Sequence, residues 1–126
     1  MRIAHNRGFV AFTPEEFKKS SFNKPQYFES ILLAHVAEHM HQKETIALLE
    51  EYLYLLKQNG KLIIITPQEA GYRQDPTHVE FVDFAKLRNL AQQVGFTVVR
   101  QYSFPLPCLF GHFLYFNEFI SVSIRT

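Results

Sequence analysis

Two short, nearly continuous apolar runs bracket a stretch of different periodicity, and the rest of the chain is arranged around them. The first run covers residues 27–34 and the second residues 61–66. Between them Ile46, Leu49, Leu53 and Leu56 recur at spacings of three, four and three. That spacing puts one apolar stripe on a helix over residues 43–57, with Tyr52 beside it and Glu44, Glu50, Glu51 and Lys57 toward water. Asn59 and Gly60 mark its expected stop. Strand, helix, strand in this order predicts a parallel crossover unit of an α/β protein. The second run has almost no polar alternation, so both of its faces are expected to be covered. Function in such sheets gathers at the carboxyl ends of the strands, here residues 35–39 and 66–71.

The flanking patterns extend this picture. Residues 8–12 fit a short strand. Thr13, Pro14 and Glu16 form a helix start, because Thr13 can cap, Pro14 suits the first helical position and Glu16 completes a capping box. That helix should run to about Ser20 and bury Phe17, and residues 23–25 break it before the strand at 28–34. Residues 67–78 read as a loop. Asp83 can cap a helix whose buried stripe is Phe84, Leu87, Leu90, Ala91 and Val94, with Gly95 as its stop. Residues 96–102 and 113–124 read as strands. No helical pattern separates them, so they should be antiparallel.

Composition narrows the function classes. The chain has 126 residues, enough for one domain, and 47% of them are apolar. A formal net charge of +1 without a basic cluster disfavours nucleic acid or an anionic membrane as partner. The single cysteine, Cys108, excludes an intrachain disulfide and fits a reducing compartment. No run reaches the ~18 apolar residues of a membrane span, and no apolar leader is seen at the start. A soluble cytoplasmic location is expected.

Four segments in order then carry a resemblance. Residues 27–39 look like a fourth strand and its following hVxEH turn. Residues 55–64 look like an LkpGGxlxi turn into a fifth strand. Residues 75–81 are similar to a DPTHxxF segment, and residues 94–99 to an aGFxvv entry to a sixth strand. Together they resemble the C-terminal portion of a class I S-adenosylmethionine-dependent methyltransferase. The resemblance implies a truncated Rossmann-like sheet with parallel strands, helices and a C-terminal antiparallel strand. It implies S-adenosylmethionine as cofactor and a small-molecule or other methyl acceptor. It places Ala34, His35 and Val36 against the cofactor, His35 and His78 in catalysis, and Glu69, Tyr72, Asp75 and His78 against the acceptor. The plainer reading has His35 capping a strand end, His78 anchoring its loop, and Glu38 and His39 starting the following helix.

The departures matter as much. The family holds its cofactor through a Gly-rich turn after the first strand and an acidic residue ending the second. The five glycines here are scattered at 8, 60, 71, 95 and 111, with no Gly-x-Gly among them. If residues 1–6 are a remnant of the second strand, Ala4 stands about where the acid would be. In the family order 3-2-1-4-5-7-6, loss of the first strands turns residues 28–34 into an open apolar edge. Such an edge pairs with other chains, so a homodimer through it, an N-terminal segment sliding in beside it, or poor stability is expected.

Residues 35–39 also spell H-x-x-E-H, a zinc hydrolase motif in which the two histidines bind from one helix face and Glu38 activates water. Glu118 would be its third ligand. That reading needs residues 35–39 inside a helix, whereas the run before His35 argues for a strand end; no metal is expected. Cys108 has no base at a recognisable spacing and reads as a packed thiol.

Overall fold

A computed structural model describes residues 7–126; the suggested strand remnant at residues 1–6, with Ala4, lies outside them. In chain order the elements are α1 (Pro14–Lys18), β1 (Phe28–Ala34), a 3-10 turn (Ala37–His39), α2 (Gln42–Tyr52), a second 3-10 turn (Leu53–Leu55) and β2 (Leu56–Pro67). They continue with α3 (Glu69–Arg73), α4 (Phe84–Gln93), β3 (Phe96–Phe104), a 3-10 turn (Cys108–His112) and β4 (Glu118–Arg125). The four strands form one sheet in the order β1-β2-β4-β3. β1 and β2 are parallel, and β4 is antiparallel to both its neighbours. This is the order expected for strands four, five, seven and six of the methyltransferase sheet.

The crossover helix α2 and the helix α4 pack on the same face of the sheet. Leu49, Leu53, Leu87, Leu90 and Ala91 meet Leu62, Ile64, Phe96 and Phe119 in one core. Full burial of a side chain such as Leu62 or Leu87 is worth about 1.5–3 kcal/mol. Asp83 caps α4 as its sequence predicts, accepting from the Lys86 N–H at 3.0 Å. Gly95 ends that segment at φ +86°, a left-handed conformation that costs glycine nothing. Thr13 caps α1, accepting from the Glu16 N–H at 3.2 Å.

Several boundaries differ from the sequence reading, each for a tertiary reason. Residues 8–12 are not a strand; Phe12 turns inward against Phe17 and Phe22 instead. α2 ends at Tyr52 rather than Lys57. The carbonyls of Tyr54 and Leu55 accept from the Gln26 and Tyr27 N–H groups that lead into β1, and Arg125 binds the carbonyls of Leu53 and Leu56. Carbonyls so engaged pull the last turn away from α-helix. Residues 57–60 then bulge from β2, with Asn59 at φ +61°. Residues 67–78 are not all loop, since α3 forms within them. β4 begins at Glu118, not at residue 113. The Leu114 N–H returns to the Phe110 carbonyl and the Asn117 N–H to the Leu114 carbonyl, which keeps residues 113–117 turned.

Coverage of the sheet is one-sided. Leu62, Ile64 and Thr66 of β2 are buried, but Ile63 and Ile65 on the opposite face are only partly so. Their neighbour on β1, Leu32, is 59% exposed. The expectation of two covered faces is therefore corrected. Among the described residues nothing pairs with the free flank of β1, and Phe9 and Val10 stay exposed rather than sliding in beside it. The His35 N–H bonds to the Ile65 carbonyl at 3.0 Å, so by alternation the backbone groups of Ser30, Leu32 and Ala34 point off the open edge. Among the described residues no helix is long and apolar enough to cross a membrane.

Candidate functional site at the strand ends

The chain leaves β1 at Ala34 and turns sharply at His35, whose φ is +58°. A non-glycine residue held there costs roughly 1 kcal/mol or more and is found at functional turns. The turn swings the imidazole over the carboxyl end of β2 and the start of β4. His35 Nε2 lies 2.8 Å from Glu118 Oε2, and His35 Nδ1 lies 3.5 Å from Glu38 Oε2. The residues on either side, Ala34 and Val36, are partly buried beside it.

Glu38 sits in the 3-10 turn that follows and is 1% exposed. Its backbone carbonyl accepts from the N–H groups of Val79 and Glu80, at 2.8 and 3.2 Å. Those two bonds bring the loop of residues 74–80 onto the turn. There His78 donates from Nδ1 to the Tyr72 carbonyl at 2.7 Å, and its ring stacks on Tyr72 with centroids 5.1 Å apart. His39 meets His78 edge to face at 4.7 Å. Asp75 accepts from the hydroxyl of Thr77 at 2.7 Å and from its N–H at 2.9 Å. These two bonds, joined by the neighbouring His78 and His39, hold the Asp75 carboxyl below its ordinary range.

Of the residues singled out by sequence, Tyr72, Asp75 and His78 thus converge, and His35 stands across Glu38 from them. Glu69 shares a hollow with Tyr72 alone of these, and its Oε1 faces His112 Nδ1 at 3.8 Å. With Tyr72, Arg73 and Phe81 it lines that hollow of about 150 Å³. Sequence reasoning treated Glu38 and His39 as a helix start. The structure puts Glu38 at the centre, and its sequence signals were the hVxEH turn and the H-x-x-E-H spacing. That spacing lies on a strand end and a 3-10 turn, so the zinc hydrolase reading on one helix face does not hold. A buried amide clamp was also missed. Asn117 Nδ2 donates to Gln68 Oε1 at 2.5 Å and to the Leu106 carbonyl at 2.9 Å, and Asn117 Oδ1 accepts from the Leu106 N–H at 2.8 Å. It fastens the loop after β3 to the end of β2. Gly111 lies so close that a Cβ would fall 2.2 Å from the Gln68 side chain.

No protein-family model and no curated protein matches the chain. Solved structures do. A methyltransferase from Archaeoglobus fulgidus, described as S-adenosylmethionine-dependent, superposes with a TM-score of 0.64 at 14% identity, over 98% of this chain and 80% of its own. The 1,6-didemethyltoxoflavin N1-methyltransferase of Burkholderia thailandensis, bound to its substrate and S-adenosylhomocysteine, gives 0.64 at 18% identity, over 99% of this chain and 55% of its own. The fold is that of the class I methyltransferases. The magnesium protoporphyrin IX methyltransferase of Synechocystis PCC 6803 gives 0.56 at 13% identity, over 83% of this chain and 42% of its own. The chain spans less than two thirds of the length of the last two. What it carries of the methyltransferase sheet is the C-terminal portion.

A methyltransferase cofactor asks for a backbone cradle and a carboxylate for its ribose. The groove of about 360 Å³ along β1 is lined mainly by apolar groups, among them Phe17, Phe28, Ile31, Leu49 and Tyr52, and holds no carboxylate. That groove therefore offers no carboxylate to a ribose.

Proposed function

We propose that residues 1–126 form a single, partial methyltransferase-like domain that supplies the acceptor side of an S-adenosylmethionine-dependent methyl transfer to a small molecule. The observation that carries this reading is His35: a left-handed turn at the rim of the parallel strands aims an imidazole over the strand ends, where this fold does its chemistry. In that reading His35 and His78 contact the acceptor or take its proton, Tyr72 and Asp75 shape its side of the cleft, and residues 34–36 touch the cofactor. Glu69 would act from the neighbouring hollow. A cytoplasmic setting agrees with the free thiol of Cys108.

The apolar groove and the missing Gly-rich turn support a second reading, a non-catalytic methyltransferase-like module that pairs with another copy through β1. Calorimetric titration of the folded chain with S-adenosylmethionine and S-adenosylhomocysteine separates the two. Saturable binding supports methyl transfer. Absence of heat at millimolar ligand leaves the isolated chain with the second role.

A further inference from the structure

We propose that Glu38, His39 and His78 form a binding site for a divalent first-row transition ion. Their ligand atoms lie within 4.8 Å of one another. Metal bonds of about 2.1 Å set ligand atoms roughly 3–4 Å apart, so a small side-chain rotation closes the set.

The hydrogen bonds around the two rings decide which nitrogen is free. The Tyr72 carbonyl can only accept, so His78 carries its proton on Nδ1. The Thr77 hydroxyl spends its one proton on Asp75 Oδ1, so at 3.1 Å it must accept from His39 Nδ1. In each ring, when neutral, Nε2 is then the nitrogen with the free lone pair. Each proton-bearing Nδ1 is bound to a carbonyl or a hydroxyl, the outer-shell arrangement that orients metal-ligating histidines. His39 Nε2 lies 4.0 Å from Glu38 Oε2.

Glu38 is the independent observation. Its carboxylate is 1% exposed, and among the described residues neither oxygen accepts a hydrogen bond. The closest base, His35 Nδ1, is 3.5 Å away on a ring already bound to Glu118. A carboxylate buried without donors is costly unless a cation lies against it. Asp75 Oδ2, 3.7 Å from His78 Nε2, adds a second negative charge to the same spot. Two imidazoles and one carboxylate leave further coordination positions open and suit zinc, iron, cobalt or manganese better than calcium. Here Glu38 is a ligand, not a base, and His35 takes no part. The site needs no S-adenosylmethionine, though it shares His78 with the methyl-transfer reading.

The test is titration of the full chain, stripped by chelator and dialysis, with cobalt(II) or zinc(II) chloride, followed by calorimetry and, for cobalt, by its visible spectrum. One ion per chain is expected. His39→Ala and His78→Ala should each weaken binding at least about tenfold, and Glu38→Gln likewise. Thr77→Val, which touches no ion but frees the His39 tautomer, should weaken it about tenfold. His41→Ala, on the exposed residue nearby, should change nothing. Circular dichroism confirms that each variant is folded, and the exposed His39 is the substitution the fold tolerates best. A folded chain that takes up no stoichiometric ion overturns the proposal. So does uptake that survives both His39→Ala and His78→Ala.

Discussion

His35 Nε2 lies 2.8 Å from Glu118 Oε2, tying the end of β1 to the start of β4 across the intervening strand. Half of the His35 side chain is open to water, so solvent screens the pair. A double-mutant cycle with His35→Ala and Glu118→Gln should return a coupling of only about 0.5–1 kcal/mol in urea unfolding. Coupling well above that would mean the pair is shielded from water in solution.

The Asn117 clamp should matter more. Asn117 and Gln68 are both fully buried, and the Leu106 N–H and carbonyl depend on the same amide. Asn117→Ala leaves several buried polar groups without partners, at a cost of about 2–4 kcal/mol. Chemical denaturation would read this directly, and amide exchange at Leu106 should accelerate with it.

Asp75 sets an acid limit on the loop. Its folded-state value lies below the ordinary 3.8, because Thr77 donates twice to the charged form. A depressed carboxyl contributes stability that is complete well above pH 4 and is lost as pH falls through the folded-state value. Asp75→Asn should therefore melt below the native protein at pH 6, and the gap should narrow toward pH 3. A gap that is constant across this range would assign the effect to packing instead.

The open flank of β1 predicts concentration-dependent association. Leu32, exposed at the middle of that strand, is the place to interrupt it. Leu32→Lys should reduce the mass-average size in light scattering and leave the melting temperature nearly unchanged. Equal size for both proteins across the accessible range would argue that the edge is idle.

Much of this could be read from the sequence because the signals were local. Asp83 and Gly95 bound α4 through one cap and one left-handed turn, and both speak for themselves in the chain. The parallel pair β1 and β2 followed from two apolar runs around one helical stripe. What escaped was decided at a distance. The last turn of α2 gives way because Arg125, at the far end of the chain, claims the carbonyls of Leu53 and Leu56. β4 starts late because Asn117 is committed to Leu106 and Gln68. Glu38 looked like a helix-start acid, and only the docking of residues 79–80 onto its carbonyl shows that it is enclosed.

That docking has a consequence for how the two imidazoles come together. His39 and His78 share no strand or helix; the Glu38 carbonyl gathers both segments through Val79 and Glu80. If those two N–H groups let go, only the Thr77 hydroxyl on His39 Nδ1 and the contact between the rings would hold the histidines together. Whatever grips both rings would also staple the loop shut, so slowed amide exchange at Val79 and Glu80 would announce an occupant before its chemistry is known.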